Sequence, residues 1–257
     1  MSLAPLFERT RALQELALIP YVTAGYPSTP ASFDLIDGAS QAGADAVEIG
    51  LPFSDPVADG PTIQLASHEA LRAGFRPRLF LEALAQRPPS CPRIVMTYLN
   101  PLLALGAEAF TLLSRAQVSA LVVPDLPEDE AGPISAEAAR AGIDLALLVA
   151  PTSSPGALRR IGHASRGFVY VVGVVGTTGA RREADPALPA ILSRVRAHTP
   201  LPLVAGFGLS DPSHLAAIRG HADGAIVGSR LVDAIRDGED FAALIRSFKQ
   251  ATRRSSC

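Results

Sequence analysis

In 257 residues, 48% hydrophobic and 19% charged, there is enough apolar material for a large core, and a disordered or charge-extended chain is excluded. Twenty-three Lys plus Arg against 25 Asp plus Glu leave a net charge of -2, without the basic field that binding to a phosphate backbone needs, so no nucleic-acid partner is expected.

Met1 to Pro20 breaks its leucines with Glu8, Arg9, Arg11 and Glu15. It has neither the continuous apolar stretch of a secretion signal nor the length to span a bilayer, so a cytoplasmic chain without membrane contact is expected. From there, short β-branched and apolar runs alternate with helical stretches. A strand over Ile19 to Ala24 leads through Gly25 to a helix over Ser32 to Gln41, and a strand over Ala46 to Leu51 precedes helices over Thr62 to Ala73 and Pro77 to Gln86. Strands over Arg93 to Tyr98 and Ala120 to Val123 follow, then a helix over Glu128 to Arg140 and strands over Asp144 to Val149 and Phe168 to Val172. The chain continues with a helix starting near Pro186, a strand over Leu203 to Ala205, a helix over Ser210 to Arg219 and a last strand over Gly224 to Val227.

Several of these strands lack alternation, as strands covered on both faces do. Repeated βα units make a parallel sheet, and eight of them close naturally into a barrel. An open doubly wound sheet would carry a glycine fingerprint at its first strand-to-helix turn, where Ala24-Gly25-Tyr26-Pro27 has one glycine. No linker or low-complexity segment divides the chain. The expected fold is therefore α/β, a (β/α)8 TIM barrel formed by residues 1–257 as a single domain with extra N-terminal and loop helices.

Residue counts narrow the chemistry. Only one of the basic residues is a lysine, Lys249, in a basic tail from Arg246 to Arg254, so no Schiff-base amine is expected at the barrel mouth. His68, His163, His198 and His214 fall in or at the ends of helices and His221 precedes the last strand; they read as surface histidines that do not converge on an ion, and no metal is expected. Cys91 and Cys257 form neither a C-x-x-C spacing nor a disulfide framework.

In a barrel, functional residues gather at the C-terminal ends of the strands and in the loops that follow. Glu48 lies inside the second strand, Ala46-Val47-Glu48-Ile49-Gly50, where a carboxylate is costly to bury. It is either a paired structural group or an acid/base whose raised pKa lets it give and take a proton near neutrality. The following loop, Leu51-Pro52-Phe53-Ser54-Asp55-Pro56-Val57-Ala58-Asp59-Gly60-Pro61-Thr62, is stiffened by proline and carries two aspartates, each also open to a plain reading, Asp55 as a turn cap and Asp59 as a turn residue. Gly206-Phe207-Gly208 after strand seven and Gly228-Ser229 after strand eight lie where barrels bind phosphate through backbone N–H groups, although glycine there also serves tight turns. Gly173 to Arg182, rich in glycine and then polar, has the composition of a lid or of an ordinary flexible loop.

Glu48 with Pro52-Phe53-Ser54-Asp55-Pro56-Val57-Ala58-Asp59-Gly60-Pro61-Thr62-Ile63-Gln64 resembles the signature of the tryptophan synthase alpha chain family. The resemblance continues through Pro20 to Gly25, Met96 to Pro101, Pro124-Asp125-Leu126-Pro127, Thr177 to Arg181, Gly206 to Ser210 and Gly228-Ser229, covering practically the whole chain. It implies a lyase of tryptophan biosynthesis that splits indole-3-glycerol phosphate into indole and glyceraldehyde 3-phosphate by retro-aldol cleavage. By the same resemblance Glu48 is the general acid/base and Asp59 faces the indole N–H. Tyr21, Leu99, Leu126 and Tyr170 lie near the substrate ring, Thr178 is the lid contact to Asp59, and Gly179, Gly208, Gly228 and Ser229 hold the phosphate. The family implies no cofactor in this chain and a beta chain partner that carries pyridoxal phosphate in an alpha2beta2 assembly, approached through Asp55 and Pro56. Tyr26 stands where many relatives have Asp, and Val174-Val175 replaces more polar residues at the start of the lid; these departures touch lid and partner communication, not the acid/base pair. Two other readings are a stand-alone lyase of the same fold that releases free indole and a non-catalytic phosphate-binding barrel.

Overall fold

The structure, a computed structural model, describes residues 2–173, 186–206 and 208–253. The strands are β1 Ala17–Thr23, β2 Val47–Gly50, β3 Arg93–Met96, β4 Val118–Val122, β5 Asp144–Ala146, β6 Leu148–Val149, β7 Val169–Val172, β8 Leu203–Gly206 and β9 Gly224–Val227. All neighbouring pairs are parallel, in the order β5-β4-β3-β2-β1-β9-β8-β7-β6. The fifth expected strand is split at Leu147: its first half pairs with β4, its second with β7, and the Leu147 carbonyl accepts from the Tyr170 N–H at 3.0 Å. That residue closes the sheet, so the nine segments make an eight-stranded barrel.

Around it run α1 Ala4–Ala12, α2 Thr29–Gln41, α3 Pro61–Arg72, α4 Pro77–Ala85, α5 Leu99–Ala104, α6 Ala109–Arg115, α7 Gly132–Arg140, α8 Pro155–Ala164, α9 Leu188–Arg196, α10 His214–Ile218, α11 Ser229–Arg236 and α12 Phe241–Ala251. Proline in the first turn, where its missing N–H leaves no bond unmade, starts α2, α3, α4, α7, α8 and α9. Ser28, Ser154 and Asp240 cap α2, α8 and α12 with side-chain oxygens. The helix expected from Glu128 begins only at Gly132, the one near Pro186 at Leu188, and that from Ser210 to Arg219 shrinks to five residues. Extra helices do appear at the N-terminus, α1, and in the loop after β3, α5 and α6.

The alternating parity of each strand separates two apolar layers. Leu18, Val47, Ile49, Val95, Leu121, Val169 and Val171 face the helices, whereas Ile19, Tyr21, Ala46, Ile94, Met96, Ala120, Phe168 and Tyr170 fill the barrel. The run-like sequences follow from burial on both faces. Leu3, Leu6 and Phe7 of α1 join the interior layer, Phe7 reaching Phe168 at 6.3 Å between ring centroids, so α1 plugs the N-terminal end.

At that same end lies a cluster of ion pairs. Asp45 accepts from the Leu18 N–H at 2.9 Å, from Arg9 at 2.7 Å and from Lys249 at 2.8 Å, and Lys249 also meets Glu15 at 3.1 Å. Lys249 is thus not part of a loose basic tail: it sits on α12 and ties that helix to the starts of β1 and β2. A second correction concerns His214, expected at the surface. It is 2% exposed, because the first turn of the short α10 turns its ring inward to within 3.2 Å of the Gly208 carbonyl.

Arg93, at the start of β3, is buried and donates to the carbonyls of Leu84, Arg87 and Ala116 at 3.2, 2.8 and 2.9 Å, fastening the ends of α4 and α6 to the barrel. Replacing it by leucine leaves three carbonyls without their donor. Arg93→Leu is expected to lower unfolding free energy by about 3 to 5 kcal/mol, measured by urea denaturation, with little effect on chemistry at the opposite end.

Candidate active site

Glu48 occupies the inward parity of β2, between Ala46 and Gly50, paired in register with Tyr21 of β1 and Ile94 of β3. Its side chain is 1% exposed, and neither carboxyl oxygen has a hydrogen-bond partner among the described residues. Buried polar atoms are nearly always paired, so a carboxyl without partners among the described residues is unusual. Burial, reinforced by the nearby Asp59 charge, pushes the Glu48 carboxyl up to about 8. Among the described residues, no side chain supplies the pairing that the structural reading of this residue calls for.

The loop after β2 folds back over the mouth. Asp59 closes a turn through its own N–H, which donates to the Pro56 carbonyl at 3.0 Å, and Gln64 of α3 donates to the Asp59 carbonyl at 2.8 Å. The turn-residue reading is therefore correct for its backbone and incomplete for its side chain. Asp59 is 9% exposed, its Oδ1 has no partner among the described residues, and desolvation raises its pKa to about 7 against the opposing pull of a hydrogen bond with Tyr98. Asp55 remains exposed at the crown of the same loop, accepting from the Ser54 hydroxyl at 2.6 Å, with Pro56 half-buried and Val57 81% exposed beside it.

Two tyrosines wall the interior beside these carboxyls. Tyr21 lies over Gly50 and Tyr170 over Gly206, so closely that a Cβ on either glycine would collide with the ring above it. Both phenols are held well above their ordinary range, by burial first; the further charges acting on them are those of Asp59 and Glu48. They stay neutral. Leu99 and Leu126, which follow β3 and β4, stand on that side of the rim and pack with the apolar layer between strands and helices.

Across the mouth, Gly208 has φ +78°, the left-handed region open to glycine, and nothing stands within 4 Å of where its Cβ would be. Gly228 precedes α11, whose first residue is Ser229; the first N–H groups of a helix have no intrahelical acceptor and point their positive end outward. This side of the mouth is lined by backbone, and the lysine of the chain lies on α12 beside Asp45 and Glu15. Thr178 and Gly179, expected on the lid, lie outside the described residues.

Two residues beside the site carry no expectation from the sequence, Gly50 and Tyr98, and Gly206, expected at a phosphate loop, instead makes room for the Tyr170 ring. Parity was the available signal: Ile94, Met96 and Tyr98 continue the inward face of β3, and Gly50 and Gly206 continue those of β2 and β8. Among the described residues, no three His, Cys, Asp or Glu side chains are grouped to hold a metal ion, and no helix is long and apolar enough to cross a membrane.

A sequence model of the tryptophan synthase alpha chain family matches residues 7–255. A tryptophan synthase alpha chain of Thermosynechococcus vestitus is 40% identical over 96% of this chain and 94% of its own length, and one of Roseiflexus castenholzii is 44% identical over 91% of each. Among solved structures, a chain of Mycobacterium tuberculosis tryptophan synthase superposes with a TM-score of 0.91 at 39% identity, covering 98% of both chains. The tryptophan synthase subunit alpha of Legionella pneumophila gives 0.87 at 30% identity, again over 98% of both.

The orphaned carboxyl has a consequence for stability. A carboxyl whose folded pKa is raised from 4.5 to about 8 contributes stability fully present below the unfolded value and lost as pH rises through the folded one. Between about pH 5 and about pH 9 the unfolding free energy of the wild type should therefore fall relative to Glu48→Gln by on the order of a few kcal/mol, read as a growing gap in melting temperature. Parallel melting curves across that range would show Glu48 to be solvated or paired.

Proposed function

Because the chain belongs to the tryptophan synthase alpha chain family, whose reaction is cleavage of indole-3-glycerol phosphate to indole and glyceraldehyde 3-phosphate, we propose that Glu48 and Asp59 carry the proton and charge changes of that cleavage. The observation that supports this assignment is the partnerless carboxyl of Glu48 beside Asp59 at the barrel mouth. The whole chain, 1–257, acts in this reading as one catalytic barrel.

Breaking the bond between the indole C3 and the side-chain carbon requires a proton on C3 and loss of the proton from the adjacent hydroxyl, which becomes the aldehyde. Near neutrality Glu48 holds its proton and can give it to C3. The carboxylate left behind then accepts the hydroxyl proton, the bonding electron pair returns to the indole ring, and Glu48 ends as it began. While C3 is protonated the ring nitrogen becomes cationic, and an ionised Asp59 opposite the N–H stabilises that charge in a site from which water is largely excluded. Tyr21 and Tyr170 supply flat, neutral walls for the ring, Leu99 and Leu126 close the rim, and Thr178 joins Asp59 from the lid. Gly179, Gly208, Gly228 and Ser229 hold the phosphate by backbone and hydroxyl donors.

The ring itself is the electron sink, so the reaction needs no amine, metal or organic cofactor from this chain. Lys249 supports that reading, since its ammonium is engaged by Asp45 and Glu15 at the opposite end of the barrel. The partner is a tryptophan synthase beta chain, which carries pyridoxal phosphate and takes up the indole; Asp55, Pro56 and the exposed Val57 present themselves to it. An alpha2beta2 assembly in the cytoplasm completes the reading.

Glu48→Gln should bind glycerol 3-phosphate nearly as the wild type does and lose at least about 100-fold in turnover, since an amide transfers no proton. Asp59→Asn should lose a comparable factor for want of a charge opposite the ring nitrogen. Release of indole, assayed with the beta chain present, reads both; native turnover in either variant removes that residue from the mechanism. For the wild type, kcat/KM should fall below about pH 7, as Asp59 gains its proton, and above about pH 8, as Glu48 loses its own.

A further inference from the structure

We propose that Tyr98 is the positioning residue of the site, its hydroxyl holding the Asp59 carboxyl and the adjoining backbone in one orientation at the barrel mouth. Tyr98 follows β3 at the inward parity and is 2% exposed. Its oxygen accepts the Ala58 N–H at 3.0 Å, so the hydroxyl is engaged by the residue immediately before Asp59. With that lone pair occupied, the hydroxyl proton is free to be donated, and in this proposal it is directed at the neighbouring Asp59 carboxyl, whose charge acts on the phenol. Asp59 thereby keeps Oδ1 unpartnered among the described residues.

The tyrosine is itself held from two sides. Phe53, from the start of the same loop, lies against its ring at 5.3 Å between centroids. Asp125, from the loop after β4, accepts the Leu99 N–H at 2.8 Å and so fixes the turn next to Tyr98. The charged or titratable groups acting on the phenol are Asp59 and Asp125, both acidic; together with burial they keep it protonated and able to donate. A loop of 10 residues between β2 and α3 is thus pinned at the residue pair that matters, by a side chain mounted on the next strand rather than on the loop.

The inference deepens the role proposed for Asp59, and the test separates the two. Tyr98→Phe keeps the ring and its packing on Phe53 and removes only the hydroxyl. In the full-length chain, the carboxyl carbon of Asp59, followed by carbon-13 NMR, should titrate at higher pH in Tyr98→Phe than in the wild type, because the lost hydrogen bond favoured the charged form. That readout needs no turnover. In the complex with the beta chain, kcat should fall by about tenfold or more, glycerol 3-phosphate should bind within about threefold of wild type, and the acid limb of kcat/KM should move in the same direction as the Asp59 titration. An unmoved Asp59 titration overturns the inference whatever the rates do. Loss of rate together with an unmoved acid limb reduces Tyr98 to packing. A native rate in Asp59→Asn, by contrast, overturns the role of Asp59 and leaves the Tyr98 contact to be judged by the titration alone.

Discussion

A carboxyl group enclosed in an apolar barrel without hydrogen-bond partners is unfavourable to the fold whenever it is ionised, and among the described residues Glu48 has none. The rest of the molecule can be understood as what makes that placement tolerable and useful. Burial is tolerated because the carboxyl keeps its proton near neutrality, and it is useful for the same reason, since a group poised at about 8 gives and takes a proton readily. Room for the rings beside it comes from glycines at the strand ends. Gly50 and Gly206 carry no side chain where Tyr21 and Tyr170 lean in, so the interior narrows to two neutral rings and a pair of carboxyls.

Stability and chemistry are kept at opposite ends. At the N-terminal end α1 fills the barrel with Leu3, Leu6 and Phe7, and Asp45, Glu15, Arg9 and Lys249 knit the strand starts to α12. Arg93 does comparable work between α4 and α6. With these contacts remote from the mouth, the C-terminal end can keep unpaired carboxyl oxygens and the open space beside Gly208. Rigidity reaches the mouth through single side chains from neighbouring elements: Gln64 of α3 on the Asp59 carbonyl, Tyr98 on the Ala58 N–H, Asp125 on the Leu99 N–H. The loop that carries Asp59 is in this way held by side chains of neighbouring elements as well as by its own prolines.

The barrel was legible in the chain because eight apolar runs separated by helical stretches leave few ways to cover a parallel sheet, and Glu48 was legible because a carboxylate within such a run contradicts its surroundings. The motif around Asp59 and the glycines near Gly208 and Gly228 carried the family resemblance, and the single lysine and the scattered histidines excluded other chemistries. These are local properties, recorded in residue type and spacing. Other features depend on which segments meet. The break at Leu147, the burial of His214, the anchoring of Lys249 by Asp45, 204 residues away, and the packing of Leu99 and Leu126 on the outer layer arise from contacts between elements distant in the chain. The sequence by itself determined the kind of fold and the residue types of the site; only the tertiary structure decided that both oxygens of Glu48 lack a partner among the described residues and that Tyr98 holds the Ala58 N–H beside Asp59, because desolvation and hydrogen bonding are properties of surroundings assembled from several strands at once.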